Sequence, residues 1–232
     1  MQRHTYTLVQ FDTVISPDEI IAFRGAILNA FPTQPLFHNH IGTGFHYAYP
    51  LVQYKRINKH ACIMGINEGA KALKALTESP SIPFQLHEKR KELRTTSIQS
   101  AAFTLDVYKQ DEENASSCFR YYKLKDWLPL NQANYLKYHK ETSLLERIKM
   151  LENILTGNII SLASGLKFFI NEKICCNIVS IHTQRISQYK GVRLQSMDLT
   201  FRINMPLPPY IGIGKGASIG HGIILPTKQK AE

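Results

Sequence analysis

The stretch PLVQYKRINKHACIMGI, residues 50–66, decides the fold because it predicts two strands and the turn between them. Strand-forming residues fill Pro50–Ile57 and Ala61–Ile66, and the polar pair Asn58-Lys59 separates them. A close pair of strands joined in this way is antiparallel. The neighbouring sequence shows which domain the pair belongs to.

A helix is predicted on either side of this strand pair. Ser16–Glu19 reads SPDE, a capping box that begins the first helix. Asn67 is predicted to cap a second helix over Glu68–Thr77. Further strands at Thr5–Phe11 and Ser97–Tyr108 complete the order β-α-β-β-α-β, which is typical of a ferredoxin-like domain.

The second half of the chain has a similar but looser order. A capping box at Ser143 and Glu146 opens its long helix, in which apolar residues recur at steps of three or four. The predicted elements are a strand, a short helix, the long helix and two strands: Phe119–Leu124, Asn131–Tyr138, Leu144–Leu166, Ile174–Ile181 and Val192–Ile203.

We therefore predict an α+β chain of two tandem ferredoxin-like (RRM-like) units, the second less regular than the first. The predicted domains are residues 1–110, with a histidine-rich loop, and 118–232, with a C-terminal glycine-rich loop.

The composition points toward a polyanionic partner, and a basic protein that binds no polyanion is the alternative that charge alone leaves open. The 232 residues carry 28 Lys+Arg against 18 Asp+Glu, a formal charge of +10, which suits nucleic acid or an acidic membrane surface. Apolar stretches such as Ile159–Leu166 fall far short of the about 20 residues of a membrane span, and the N-terminus lacks a signal-peptide pattern. The four cysteines lack C-x-x-C spacing, so we expect a reducing, cytoplasmic location and no membrane partner.

A histidine-rich loop covers residues 36–47, and three of the nine histidines fall within nine residues: His38, His40 and His46. Asp and Glu are absent from Ile20 through Asn67, so nothing nearby in the sequence repels a phosphodiester, and histidine can transfer protons near neutrality. Two other interpretations stay open. The loop can bind a metal through an H-x-H pair, although it offers no carboxylate support, or its histidines can simply form hydrogen bonds.

A glycine-rich loop near the C-terminus has five glycines within the eleven residues Gly212–Gly222. Glycine lets the backbone approach a phosphate and turn its N–H groups toward it, while Lys215 adds charge and Ser218 a donor. Neither the P-loop nor the dinucleotide-binding pattern fits these letters. A flexible tail is the alternative, but the interleaved isoleucines favour an ordered loop.

Positive charge precedes this loop. The stretch Arg185–Lys215 holds five Lys/Arg and one acid, Asp198, which fits recognition of a nucleic-acid backbone. By contrast, Lys89–Lys91 lies between two glutamates and is interpreted as a solvated face.

Together these features resemble the CRISPR-associated repeat-processing endoribonucleases of the RAMP superfamily, and most of all their subtype I-B branch. His221 departs from the family pattern, where a large aromatic residue is expected. The similar segments are FHNH at 37–40, YPLVQYK at 49–55, GINEG at 65–69, WLPLN at 127–131, GNIIS at 157–161 and Leu207–Gly222.

The resemblance implies a metal-independent cut within the repeat of a CRISPR precursor RNA. The RNA's own 2′-hydroxyl attacks the phosphorus, which leaves a 2′,3′-cyclic phosphate and a 5′-hydroxyl and yields mature guide RNAs. His40 is carried over as the main acid/base, His38 as its partner or substitute, and Tyr47 as a group that positions the nucleophile or donates a proton. No metal and no cofactor is implied. The RNA-binding residues implied are Gly212, Gly214, Lys215, Gly216, Ser218, Lys190, Arg193, Arg185 and Lys55.

Two other functions remain open. The chain can be a non-catalytic repeat-RNA-binding subunit of a CRISPR effector complex, or a metal-dependent phosphohydrolase that uses His38, His40 and His46. The expected partners are CRISPR repeat RNA, other proteins of an effector complex and a second copy of the chain.

Overall fold

The computed structural model describes residues 2–38, 49–79, 81–86, 89–109 and 118–227. These residues form two compact units. The first comprises Arg3–Phe103 together with Ser218–Gly220, and the second holds the remaining described residues.

The first unit is a four-stranded antiparallel sheet with strand order β2-β3-β1-β6. This is the order of a ferredoxin-like sheet, so the predicted fold of this half is confirmed. A tight turn with positive φ at Asn58 (50°) and Lys59 (71°) joins β2 to β3, as predicted. The elements are β1 (His4–Val14), α1 (Ile20–Ala30), α2 (Pro35–His38), β2 (Val52–Ile57), β3 (His60–Ile66), α3 (Glu68–Ala72), α4 (Lys74–Thr77), β4 (Ile82–Leu86), β5 (Lys89–Leu93) and β6 (Thr95–Phe103).

Three local features of the first unit differ from the predictions. The second helix is two short helices, α3 and α4, which meet at Leu73. Asn67 does not cap it with its side chain, because the Asn67 amide instead accepts a hydrogen bond from the N–H of Thr5 (3.1 Å) and pairs with the His4 ring (3.0 Å). The hairpin β4–β5 was not predicted.

The second unit repeats the same strand order with one replacement. Its sheet is ordered β10-β7-β9-β8, which again places the first and third strands at the centre. A ferredoxin-like unit has a helix between its third and fourth strands. In this unit residues 204–222, all described, form an irregular segment in that place. The prediction of a second, less regular ferredoxin-like unit is therefore confirmed. Its elements are β7 (Arg120–Trp127), α5 (Gln132–Lys140), α6 (Leu144–Gly165), β8 (Cys176–Tyr189), β9 (Val192–Ile203) and β10 (Ile223–Pro226).

Both predicted helix starts in this unit are confirmed. The Asn131 side chain accepts a hydrogen bond from the N–H of Asn134 (2.8 Å), and the Ser143 hydroxyl accepts one from the N–H of Glu146 (3.4 Å). The apolar face of α6 is buried at Leu151, Leu155, Ile159 and Leu162, which fixes the helix on its unit.

Strand β8 is longer than predicted. The polar stretch expected as a connection is strand, because β8 pairs with β9 from Cys176–Ile203 to Tyr189–Val192. Only Lys190 (φ 49°) and Gly191 (φ 78°) form the turn, a conformation that favours glycine at the second position.

The glycine-rich loop is shared between the two units. The N–H of Tyr54 donates to the carbonyl of Ser218 (2.9 Å), Ile219 pairs in parallel with Tyr54, and Ile219 packs against the first core. Ser218–Gly220 therefore belongs to the first unit, whereas the predicted domain 118–232 included it in the second. The predicted boundaries at 110 and 118 flank residues outside the described ranges and stay a prediction.

Lys55 is buried, contrary to its assignment as an RNA-binding residue. Alternation along β2 turns Val52 and Tyr54 toward the apolar core and Lys55 toward the opposite face of the sheet, where it is 0% exposed. Its Nζ atom has no hydrogen-bond partner in the described part of the chain. Burial lowers the pKa of Lys55 to about 7, since the charged form loses its hydration. An ammonium group in this position does not reach RNA from the surface.

Two glycines let α3 approach β3 and β2 at backbone distance. A Cβ atom on Gly65 would overlap the Gly69 carbonyl group, and one on Gly69 would overlap the Leu51 carbonyl oxygen. Side chains at these positions would therefore push the helix away from the sheet.

We predict opposite effects for two Gly→Ala changes. Gly69→Ala should lower the free energy of unfolding by about 1–3 kcal/mol, the usual cost of overpacking. The Cβ atom of Gly157→Ala, in α6, meets nothing within 4 Å. This change should raise the free energy of unfolding by about 0.5–1 kcal/mol, because alanine has the higher helix propensity. Chemical denaturation of both variants and the wild type measures the difference. Equal stability of the two variants would contradict the close packing of α3.

We also predict that Lys55→Met stabilises the protein most strongly at and below pH 7. The pKa of Lys55 is about 7 in the folded chain, whereas its ordinary value is 10.5. Between pH 7 and pH 10.5 the unfolded chain therefore binds more protons than the folded chain does. The wild-type free energy of unfolding should therefore gain up to about 1.4 kcal/mol per pH unit from this group, and the advantage of Lys55→Met should shrink over that range. Denaturation between about pH 6 and pH 10 tests this. The exposed Lys123→Met is the control, and parallel curves for both variants would contradict the prediction.

Candidate functional site

The histidine-rich segment starts from a firmly anchored short helix. Phe37 of α2 is fully buried and packs edge-on against Phe31, with ring centroids 5.7 Å apart. The Tyr54 hydroxyl donates to the Phe37 carbonyl (3.0 Å), and the Arg24 guanidinium donates to the His38 carbonyl (3.2 Å). The backbone of His38 is therefore held by α1 and β2 of the first unit.

Tyr49 and Pro50, which follow this segment in the sequence, are held by Gln53 of β2. The Gln53 side-chain amide donates to the Tyr49 hydroxyl (2.8 Å) and to the Pro50 carbonyl (3.1 Å). Burial raises the pKa of Tyr49, so its phenol is neutral. Of the predicted catalytic residues, His38 lies at the end of α2, whereas His40 and Tyr47 lie outside the described residues, as does His46.

One positive charge, that of Arg24, lies beside the backbone of His38. The Arg24 guanidinium lies 6.0 Å from the centre of the Tyr54 ring, and burial raises the pKa of Tyr54 although the charge of Arg24 opposes this. Within the described ranges no group of three or more His, Cys, Asp or Glu is arranged to hold a metal ion.

The glycine-rich loop is packed against the second unit. Ile211, Ile213 and Ala217 are buried. The N–H of Ile213 donates to the Gly222 carbonyl (2.9 Å), and the N–H of His221 donates to the Gly216 carbonyl (3.2 Å). The prediction of an ordered loop, and not a flexible tail, agrees with these contacts.

The tip of this loop presents backbone donors. Gly214 and Gly216 have φ of 73° and 75°, the left-handed conformation that glycine adopts without strain. The N–H groups of Gly214, Lys215 and Gly216 donate no hydrogen bond within the described part of the chain. Successive backbone N–H groups without an acceptor are the kind of donors that bind anions in proteins, so this stretch is a candidate contact for a phosphate.

Arg185 is committed to an ion network, which sequence analysis did not foresee. Its guanidinium donates to both oxygens of Asp198 (3.1 and 3.1 Å) and to Asp126 (3.1 Å). Burial opposes ionisation of Asp126, but a hydrogen bond from His221 and the charges of His221 and Arg185 outweigh it and lower the pKa of Asp126 to about 2. Arg185 therefore brings little uncompensated charge to RNA. Asp126 lies 59 residues before Arg185, so no local pattern pairs them.

Lys190 and Lys215 meet at an aromatic ring that the sequence analysis did not single out. Their Nζ atoms lie 5.7 and 5.6 Å from the centre of the Tyr189 ring, and the His221 ring packs edge-on against it at 5.7 Å. His221 thus contacts Tyr189 and Asp126 at the position where the family pattern has a large aromatic residue.

The other predicted RNA-binding residues have different surroundings. Arg193 is exposed on β9 and lines a separate cavity of about 680 Å³ with Tyr135 and Leu136 of α5. Gly212 pairs with Ile223, Ser218 belongs to the first unit, and Lys55 is buried. No described helix is both long and apolar enough to cross a membrane.

Known proteins show the same two-part organisation. The family model of the Cas6b N-terminal domain matches residues 2–104, and that of the Cas6b C-terminal domain matches residues 114–227. An uncharacterized protein of Methanocaldococcus jannaschii is 30% identical over 115 residues, which are 50% of this chain and 77% of that protein.

Solved structures of other proteins have the same fold as this chain. A crystal structure of Cas6b is similar with a TM-score of 0.84 and 21% identity over 97% of this chain and 100% of that chain. A CRISPR RNA processing endoribonuclease Cas6b is similar with a TM-score of 0.72 and 20% identity over 97% of this chain and 100% of that chain. The resemblance suggested by the sequence motifs is confirmed: with both domain models of one family matching in order over nearly its whole length, the chain belongs to the Cas6b family.

Proposed function

We propose that this chain is an endoribonuclease that cuts CRISPR precursor RNA within the repeat and yields mature guide RNAs. The observation that carries the proposal is the match of both halves of the chain to the two Cas6b domains. The acid-free stretch from Ile20 through Asn67, with three histidines in its centre, supports it because a phosphodiester is not repelled there. A cytoplasmic location accords with an RNA substrate.

The proposed reaction uses the 2′-hydroxyl of the nucleotide before the cut. Its oxygen forms a bond to phosphorus while the bond from phosphorus to the 5′-oxygen breaks, which leaves a 2′,3′-cyclic phosphate and a 5′-hydroxyl. A base must take the 2′ proton, and an acid must protonate the 5′-oxygen. His40 is proposed for the main proton transfer, with His38 as partner and Tyr47 as the group that positions the nucleophile.

RNA binding is proposed for the glycine-rich loop and the cations near it. Phosphate contacts are supplied by the N–H groups of Gly214, Lys215 and Gly216, which donate no hydrogen bond within the described ranges, and by the exposed ammonium groups of Lys190 and Lys215. Ser218 and the exposed Arg193 extend the proposed contacts. Other proteins of an effector complex and a second copy of the chain are proposed as further partners.

We predict that His40→Ala slows single-turnover cleavage of repeat RNA by roughly 10²–10⁴-fold, the usual contribution of a proton-transfer group. Affinity for the RNA should hardly change, since a neutral histidine attracts phosphate weakly. His38→Ala tests the partner role, and His60→Ala, at the start of β3, is the matched control. Near-normal cleavage by His40→Ala would assign the main role to another group. If the wild type binds repeat RNA and never cuts it, the chain is the non-catalytic subunit.

We predict that a single 2′-deoxy substitution just before the cut abolishes cleavage and preserves binding, because the attacking oxygen is removed. Excess EDTA should leave the rate intact. Both are measured by gel analysis of end-labelled repeat RNA. Cleavage of the deoxy substrate at the same bond, or loss of the rate in EDTA, would instead favour an activated water and the phosphohydrolase with His38, His40 and His46.

A further inference from the structure

The tip of the β8–β9 hairpin holds one aromatic ring in a fixed place. The two-residue turn at Lys190-Gly191 makes Tyr189 and Val192 the last pair of the ladder. The Tyr189 ring lies so close to the glycine-rich loop that a Cβ atom on Gly216 would stand 2.9 Å from Tyr189 Cε2. His221 packs against the same ring. Tyr189 is therefore held by the loop and yet half-exposed.

Two positive charges flank this ring. Lys190 Nζ and Lys215 Nζ lie over this ring, 5.7 and 5.6 Å from its centre, within the about 6 Å of a cation–π interaction. Both side chains are exposed.

The nearby acids are already neutralised. Asp126 is paired with Arg185 and His221, and Asp198 with Arg185 and Lys125. Neither Lys190 nor Lys215 forms a salt bridge in the part of the chain that the structure describes. Two like charges over one half-buried ring repel each other, and an anion with a flat apolar face relieves that repulsion.

We propose that Tyr189, Lys190 and Lys215 form a site for one unpaired nucleotide of the repeat RNA. The base displaces the lysine ammonium groups from the Tyr189 ring and stacks on it, and the flexible lysine side chains contact the phosphates on its two sides. Sites for single-stranded nucleic acid combine these two elements, because stacking needs a π-face and the backbone needs cations. An acidic peptide would use the lysines and leave the ring without a role. This inference rests on the proposed function and assigns to the glycine-rich loop a stacking residue that it lacks by itself.

The test separates stacking from charge. The probe is repeat RNA with a 2′-deoxy nucleotide before the cut and 2-aminopurine placed at one position at a time. Tyr189→Ala should weaken the Kd by about 5- to 100-fold, the range that base stacking supports, whereas Tyr189→Phe should stay within about twofold of the wild type. Lys190→Ala and Lys215→Ala should each make log Kd against log salt shallower by about 0.7, and Tyr189→Ala should leave that slope unchanged.

Fluorescence locates the nucleotide. One 2-aminopurine position should be quenched on binding to the wild type and to Tyr189→Phe, and should stay bright with Tyr189→Ala. Tyr135→Ala, an exposed tyrosine of the same unit with no cation over its ring within the described ranges, is the matched control and should bind normally. Thermal unfolding of each variant reports on whether the hairpin remains folded.

The site is overturned if Tyr189→Ala binds repeat RNA as the wild type does, or if Tyr189→Phe is as weak as Tyr189→Ala. Equal loss in these two variants would indicate a role of the hydroxyl group and not of the ring. It is also overturned if polyglutamate binds through both lysines and repeat RNA does not. Failure of the proposed function is distinguishable, because it appears as absence of cleavage by the wild type and leaves these Kd comparisons intact.

Discussion

The second unit depends on one partly buried ion network at a distortion of its sheet. The register of β7 against β9 shifts between Leu124 and Trp127, and Asp126 in that shift has a φ of 52°. Asp198 stabilises the bulge, since its carboxylate accepts the Asp126 N–H (2.7 Å) and binds the Arg185 guanidinium. The Asp126 carbonyl in turn accepts the N–H of Gly222 (3.1 Å). The course of the glycine-rich loop thus follows from a pair of carboxylates in the sheet.

This network also explains why positive charge alone does not identify a nucleic-acid contact. Arg185 and Lys55 both contribute to the formal charge of +10, but Arg185 is bound by two carboxylates and Lys55 is buried. Lys190 and Lys215 keep their charge exposed because their neighbours are an aromatic ring and glycine backbone. The field that attracts a polyanion therefore arises from the cations that the fold leaves without carboxylate partners.

Local patterns predicted the elements whose causes are local. The capping residues Asn131 and Ser143 begin their helices where the sequence indicated, because a cap and its amide are three residues apart. Asn67 matches the same pattern but does not cap its helix, because its side chain is hydrogen-bonded to His4 and Thr5, which lie more than sixty residues away in the sequence. The pairing of Arg185 with Asp126 and the meeting of Lys190 with Lys215 are also set by tertiary contacts. The types of the candidate site residues could thus be predicted, but their partners could not.

The two units show what the replacement of one helix makes possible. In the first unit α3, α4 and the hairpin β4–β5 lie between the third and fourth strands of the sheet, and the helical N–H groups of Lys71 and Leu73 donate to the carbonyls of Asn67 and Gly69 (3.1 and 3.2 Å). In the second unit residues 204–222 make the same connection without a helix, and glycines with positive φ turn Gly214–Gly216 so that their N–H groups remain without partners in the described chain. Ordering this segment costs conformational entropy, and the burial of Ile211 and Ile213 offsets that cost. Under the proposed function, the segment that replaces a helix in this ferredoxin-like unit is the one that offers backbone donors to the RNA.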